Sequence, residues 1–199
     1  MDNMMPTIEE AEKMLAEAEG MNPGPWGNHS RTVAKCAKKI AENCELNGDK
    51  AYVFGLLHDI GRRNGITQMA HIVDGYKYLM KLGYDEAAKI CITHSFAVKD
   101  IDTCIGKIDI SEEDYQMLIQ LIATYEYDDY DKLIQLCDSI SFPNGVVELK
   151  TRMDDVEKRY GFYPTIKREK HYELKRYFEQ KMGRNLYEVA SDNKALWGL

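Results

Sequence analysis

Four of the five histidines, His29, His58, His71 and His94, fall on stretches of helical periodicity or at their ends. One buried histidine is ordinarily a hydrogen-bonded core residue, but four so placed read as metal-ligand candidates. The most informative run is Gly55-Leu56-Leu57-His58-Asp59-Ile60-Gly61, in which an imidazole and a carboxylate are adjacent at the end of an apolar helix. Neighbouring helical side chains diverge by about 100°. His58 and Asp59 can therefore face one ion only where the helix stops and the backbone turns, a turn expected of Gly61. An aspartate at that end meets the negative pole of the helix dipole, and a bound cation removes the conflict. The sequence holds no Gly-x-Ser-x-Gly elbow and no Gly-x-x-x-x-Gly-Lys-Ser/Thr loop that would point to other hydrolytic chemistry. His171, in the charged run Lys167-Arg168-Glu169-Lys170-His171, reads as a surface residue.

The elements that must position these side chains are helices, because apolar residues recur at helical spacing and alternating strand-like runs are nearly absent. An all-α bundle is expected. Thr7 and Glu10 form a capping box for a first helix carrying Ile8, Ala11, Met14, Leu15 and Ala18 inward, with Gly20 closing it. A Gly/Pro-rich loop leads into a second helix from Asn28, and residues 51–60, hydrophobic nearly all round, belong at the bundle centre. Helices are expected over 69–81, 85–94 and 130–141, and after the Ser111/Asp114 cap, with a looser stretch over 97–110. Beyond Pro143-Asn144-Gly145 come two charged amphipathic helices and a short tail, on which Val146, Leu149, Met153, Val156 and Tyr160 form a packing stripe. No linker of domain-boundary character appears, so a single domain over 1–199 is expected.

The chain has 199 residues and a formal net charge of −7, which disfavours a protein that grips nucleic acid through its phosphates. No apolar run approaches the roughly 18 residues of a membrane span, and the polar, acidic start does not read as a secretory signal. A cytoplasmic protein with no nucleic-acid or membrane partner is expected. Cys36, Cys44, Cys91, Cys104 and Cys137, odd in number and without a C-x-x-C pair, read as reduced core residues.

Taken in order, His29, the His58-Asp59 pair and the distant Asp138 in Leu136-Cys137-Asp138-Ser139-Ile140 resemble the motif of the HD superfamily of metal-dependent phosphohydrolases. The resemblance implies an α-helical HD-type bundle with a metal-binding core over about 28–141 and a helical extension over 145–199. It implies that His29, His58, Asp59 and Asp138 hold one ion. His71 and His94 match the extra ligands of binuclear members, in which Asp59 would bridge two ions and orient a bridging hydroxide. Imidazole and carboxylate donors without thiolates suit iron or manganese, with nickel, zinc or magnesium as further options. The expected substrate is a small phosphate ester, a nucleotide or dinucleotide.

Arg62 stands where many members of the family carry a phosphate-contacting lysine, and its guanidinium offers a fork for the same oxygens. Arg63 and Lys107 are weaker substrate-binding candidates. Trp26, Tyr125, Tyr127 and Tyr130 could stack on a base, although aromatics at such spacing usually pack a bundle. The same ligand order is similar to that of mixed-valent di-iron oxygenases of the superfamily, which makes oxygenase chemistry the main alternative. A mononuclear nucleotidase and a non-catalytic binding module are the others. The C-terminal helices would finish the core, cover the site or mediate self-association.

Overall fold

A computed structural model describes residues 5–199, so the first four residues of the acidic N-terminal stretch lie outside the described residues. Helix α1 (Ile8–Met21) opens with the expected capping box: Glu10 N–H donates to Thr7 Oγ1 at 3.2 Å and Thr7 N–H to the Glu10 carboxylate at 2.7 Å. It runs through Gly20, because the closing bond comes from Asn22 N–H to Ala18 O. Helix α2 (Trp26–Glu42) turns Val33, Cys36, Ala37, Ile40 and Ala41 inward, and α3 (Gly48–Leu57), capped by Asn47, is buried on nearly every side. These two helices touch backbone to backbone, since a Cβ on Gly55 would lie 2.4 Å from Ala34 Cα.

A 3₁₀ turn, Ile60–Asn64, leads to α4 (Ala70–Lys81) and α5 (Asp85–Thr93), followed by α6 (Glu112–Thr124) and α7 (Asp129–Asp138). The chain then forms a two-residue antiparallel hairpin, β1 (Ser141–Phe142) with β2 (Gly145–Val146), in which Ser141 pairs with Val146. Val146 therefore belongs to a strand, and the predicted stripe begins at Leu149 on α8 (Leu149–Tyr160). The tail folds further than expected, as α9 (Thr165–Met182) is followed by the short α10 (Leu186–Ala190).

The main core gathers α1, α2, α3 and α7, and it also includes Leu149, Met153, Leu174, Phe178, Leu186 and Tyr187 of the C-terminal helices. A smaller cluster of Met69, Ile72, Val73, Ile92, Phe96, Leu118 and Ile122 joins α4, α5 and α6. Four cysteines are buried and Cys104 is half-buried, all of them free. Among the described residues no helix is long and apolar enough to cross a membrane.

Two sequence readings are corrected here. Gly61 does not supply a left-handed turn, as its φ is not positive; it supplies an absent side chain. A Cβ there would lie 1.9 Å from His71 O and 2.5 Å from Gly75 N, so the turn after α3 packs directly on the α4 backbone. His171 is not on the surface: it is 3% exposed, and with Lys167, Leu174 and Phe178 it forms the buried stripe of α9.

The close approach at Gly61 makes Gly61→Ala costly. Overpacking against a backbone that cannot yield is expected to destabilise the fold by about 3 kcal/mol, read as a lower urea midpoint. An unchanged midpoint would show that the α4 contact can relax.

Candidate metal centre

The expected ligands arrive from helix ends. His29 sits in the first turns of α2, His58 caps the C-terminus of α3, and Asp59 follows with φ −106° and ψ 15°, already outside the helix. His71 opens α4, His94 caps α5 and Asp138 is the last residue of α7. The fold brings all six together. His29 Nε2 lies 2.9 Å from Asp138 Oδ1, while His58 Nε2 is 4.0 Å from the same oxygen and 3.8 Å from Asp59 Oδ2. On the other side of Asp59, Oδ1 is 3.1 Å from His71 Nε2 and 3.6 Å from His94 Nε2.

Backbone carbonyls set the ring orientation. His58 Nδ1 donates to Gly55 O at 2.7 Å, His94 Nδ1 to Ile90 O at 3.2 Å, and His71 Nδ1 to Gln68 O. A carbonyl only accepts, so each Nδ1 carries the proton and each Nε2 is left as an acceptor, which at His94 takes a 2.9 Å hydrogen bond from Ser95 Oγ. Gln68 is itself fixed by Asp109, whose carboxylate accepts from Gln68 N–H and Ala70 N–H, both at 2.7 Å.

This arrangement fits a metal. His58 Nε2 and Asp59 Oδ1 are buried without a hydrogen-bond partner. The Oδ1 atom faces the Nε2 lone pair of His71, and two acceptors so close require a cation or proton between them. Donors about 2 Å from a common first-row ion lie roughly 3–4 Å from one another, as these atoms do. Among the described residues two triads have all donor atoms within 4.8 Å, His29/His58/Asp138 and His58/Asp59/His94. They share His58, whereas the sequence-level expectation made Asp59 the shared ligand; His71 lies in neither triad and reaches the cluster through Asp59 Oδ1.

Protonation favours ligation as well. Burial alone would raise Asp59, but the Arg62 guanidinium beside it holds it well below the ordinary carboxylate range. Asp138 is likewise lowered against its burial by the His29 hydrogen bond, with His58 and Arg152 assisting. Burial lowers His58 and, with the neighbouring His58, pushes His94 down to about 3.

A cavity of about 130 Å³ opens over the cluster, with Asp59, His71, His94 and Asp138 on its floor and Arg62, Arg152, Arg159, Tyr160 and Lys167 on its walls. Arg62 Nε donates to Asp59 Oδ2 at 2.6 Å, and its Nη2 lies 3.4 Å from His71 Nε2. Arg63 and Lys107 are not on this cavity. The Arg63 guanidinium lies 4.0 Å from the centroid of the Tyr78 ring and donates to Met21 Sδ; Lys107 is exposed on the loop before α6. Trp26, Tyr125, Tyr127 and Tyr130 do not line it either: Trp26 Nε1 donates to Asn22 O and Tyr130 OH accepts from Asn47 N–H. The aromatic ring at the mouth is Tyr160.

Sequence reasoning missed Lys167, Arg152 and Arg159. Lys167 was findable, because residues 167, 171, 174 and 178 follow a 4-3-4 spacing that continues the apolar stripe of α9. Arg152 and Arg159 carried no such signal, since nothing local tells a cavity-facing arginine from a solvated one.

An all-helical bundle that turns imidazole lone pairs and ionised aspartates onto one spot belongs to the metal-dependent class. The sequence profile of the HD domain matches residues 26–142, and the chain belongs to that family, whose members are generally metal-dependent hydrolases. No curated protein and no solved structure matches the chain.

Beside the cavity, burial first and then the Lys167 charge push His171 down to about 3, while its Nδ1 lies 3.0 Å from Tyr163 OH. Unfolding returns it to about 6.5, so the unfolded chain binds more protons and stability falls as pH drops below that value. This residue alone should cost about 2 kcal/mol at pH 5 relative to neutral pH. His171→Gln should flatten the pH dependence of the urea midpoint accordingly; an unchanged slope would count against a neutral buried His171.

Proposed function

We propose that the chain is a phosphohydrolase that uses two metal ions to hydrolyse a small phosphate ester, a nucleotide or dinucleotide. The observation that carries the reading is the pair of buried, unpartnered acceptors, His58 Nε2 and Asp59 Oδ1, beneath a wall of cationic side chains. His29, His58 and Asp138 would hold one ion and Asp59, His71 and His94 the other, with Asp59 between them. Iron or manganese suits these donors best, and nickel, zinc or magnesium is compatible with them. Ions bound there would lower the pKa of a coordinated water and polarise the phosphoryl group.

The protein's own residues supply the rest. Arg62, tied to Asp59 through Nε, retains other N–H donors for phosphoryl oxygens. The Nδ1 bonds to backbone carbonyls keep the imidazoles oriented, so little reorganisation is needed when substrate enters. The helices after residue 142 contribute Arg152, Val156, Arg159, Tyr160 and Lys167 to the cavity lining, and we take the whole chain as one functional unit. The same donors could serve oxygen-dependent di-iron chemistry, but the arginines and lysine on the wall favour an anion and hydrolysis.

Protein purified anaerobically should carry close to two ions per chain by elemental mass spectrometry, falling to about one in His94→Ala. It should release phosphate from nucleotides without oxygen. One ion in both proteins would reduce the site to a mononuclear one, and substrate-dependent oxygen uptake without phosphate release would replace hydrolysis by oxygenation.

A further inference from the structure

The family match ends at residue 142, yet α8 lays two arginines along the cavity. Arg152 and Arg159 are seven residues apart, two turns on one helix face. Asp155 lies between them, with Oδ2 2.9 Å from Arg159 Nε and 3.6 Å from Arg152 Nη1. Arg152 is fixed in place: its Nε donates to Ser141 O at 3.0 Å and its guanidinium lies 5.5 Å from the centroid of the Phe142 ring. Its Nη1 is nevertheless buried without a hydrogen-bond partner, because 3.6 Å to Asp155 is too long for one. An unmet guanidinium donor is costly in the free protein and is relieved by an anion. Arg159, with 47% of its side chain exposed and its Nε donating to Asp155, keeps its terminal N–H groups for the same ligand.

The floor of the cavity and Arg62 already account for one phosphoryl group. The α8 pair lines the same cavity from a separate element, and a guanidinium fork matches phosphate oxygens. We propose that Arg152 and Arg159 form a second phosphate subsite, so that the preferred substrates are phosphoanhydrides with at least two linked phosphoryl groups rather than phosphate monoesters. This rests on the phosphohydrolase reading and narrows its substrate class. Tyr160, next to Arg159 at the mouth, offers a ring to whatever the second phosphate carries. The negative charge of the chain as a whole makes the placement of these cations, rather than bulk attraction, the source of affinity.

The test compares AMP with α,β-methylene-ADP, which share a base and ribose and differ by one phosphoryl group. Calorimetry is done on the metal-loaded full chain with that metal in excess. The wild type should bind the diphosphate analogue at least about tenfold more tightly than AMP. Arg159→Gln should bring the two affinities within about twofold of each other by weakening the analogue alone, and Arg159→Lys should keep part of the preference. Arg152→Gln should act in the same direction, and because Arg159 is exposed its variant does not depend on core packing. Equal affinities in the wild type, a preference that survives both glutamine variants, or no binding of either nucleotide would overturn the subsite. Phosphate release is measured separately on the wild type. Release from AMP without the binding preference removes the subsite and keeps the hydrolase; an Arg159-dependent preference without release from any nucleotide does the reverse.

Discussion

The rest of the molecule is organised around keeping the Asp59 carboxylate ionised in a place from which water has been removed. A desolvated carboxylate is expensive unless positive charge and hydrogen bonds surround it. Arg62 Nε at 2.6 Å supplies part of that compensation, yet Oδ1 keeps no hydrogen bond and is turned toward His71 and His94. Such an atom is stable only if its neighbours cannot relax away. Its cost is spread over the scaffold, which fixes the imidazole orientations by backbone bonds at Nδ1.

That rigidity comes from contacts with no slack. Gly55 lets the α3 backbone lie on α2, which brings His58 against His29 with ring centroids 5.4 Å apart. Gly61 does the same for the turn after α3 against α4, and so brings Asp59 to His71. A buried polar clamp joins α5 to α7: Asp131 accepts from Lys89 Nζ at 2.6 Å and from Thr93 Oγ1 at 2.7 Å, while Gln135 Nε2 donates to Thr93 O at 2.9 Å. Asp131 and Gln135 stand on the same helix that ends in Asp138, and Thr93 directly precedes His94. The clamp therefore sets the distance between His94 and Asp138, two candidate ligands that share no direct bond, through a network of paired polar groups, as buried networks require.

Much of this was legible in the sequence because it is periodic or adjacent. The helical pattern, the Thr7–Glu10 box, the Ser111 cap and the His58-Asp59 pair are local features, and the fold placed them as their chemistry demands. What escaped depends on approach between distant segments. Gly61 was assigned a backbone freedom it does not use, because only the tertiary contact with His71 O reveals that the missing Cβ matters. Arg63 was grouped with Arg62 by adjacency, yet successive residues of a tight turn point apart, and it stacks on Tyr78 instead. His171 was misread for a different reason: the charged neighbours Arg168, Glu169 and Lys170 masked a stripe whose spacing had already marked it as buried.

Lys167 shows why the helices beyond the family match cannot be treated as an appendage. The residue is 8% exposed; its ammonium donates to Ser95 O at 2.7 Å and to Thr103 O at 3.4 Å, and burial lowers its pKa. Ser95 follows His94, and Thr103 closes the 3₁₀ turn Ile101–Thr103 on the loop that reaches the cavity at Cys104 and Ile105. A desolvated amine is tolerated only while those carbonyls are in place, and they in turn are screened from water by α9. Docking of α9 and the position of the His94 end of α5 are thus one equilibrium rather than two. The candidate metal ligands lie wholly within residues 26–142, whereas most of the cationic side chains lining the cavity come from α8 and α9. On the proposed reading, hydrolytic chemistry and choice of substrate would be encoded in different parts of the chain, joined through Lys167 of α9, whose ammonium is held by the Ser95 and Thr103 carbonyls.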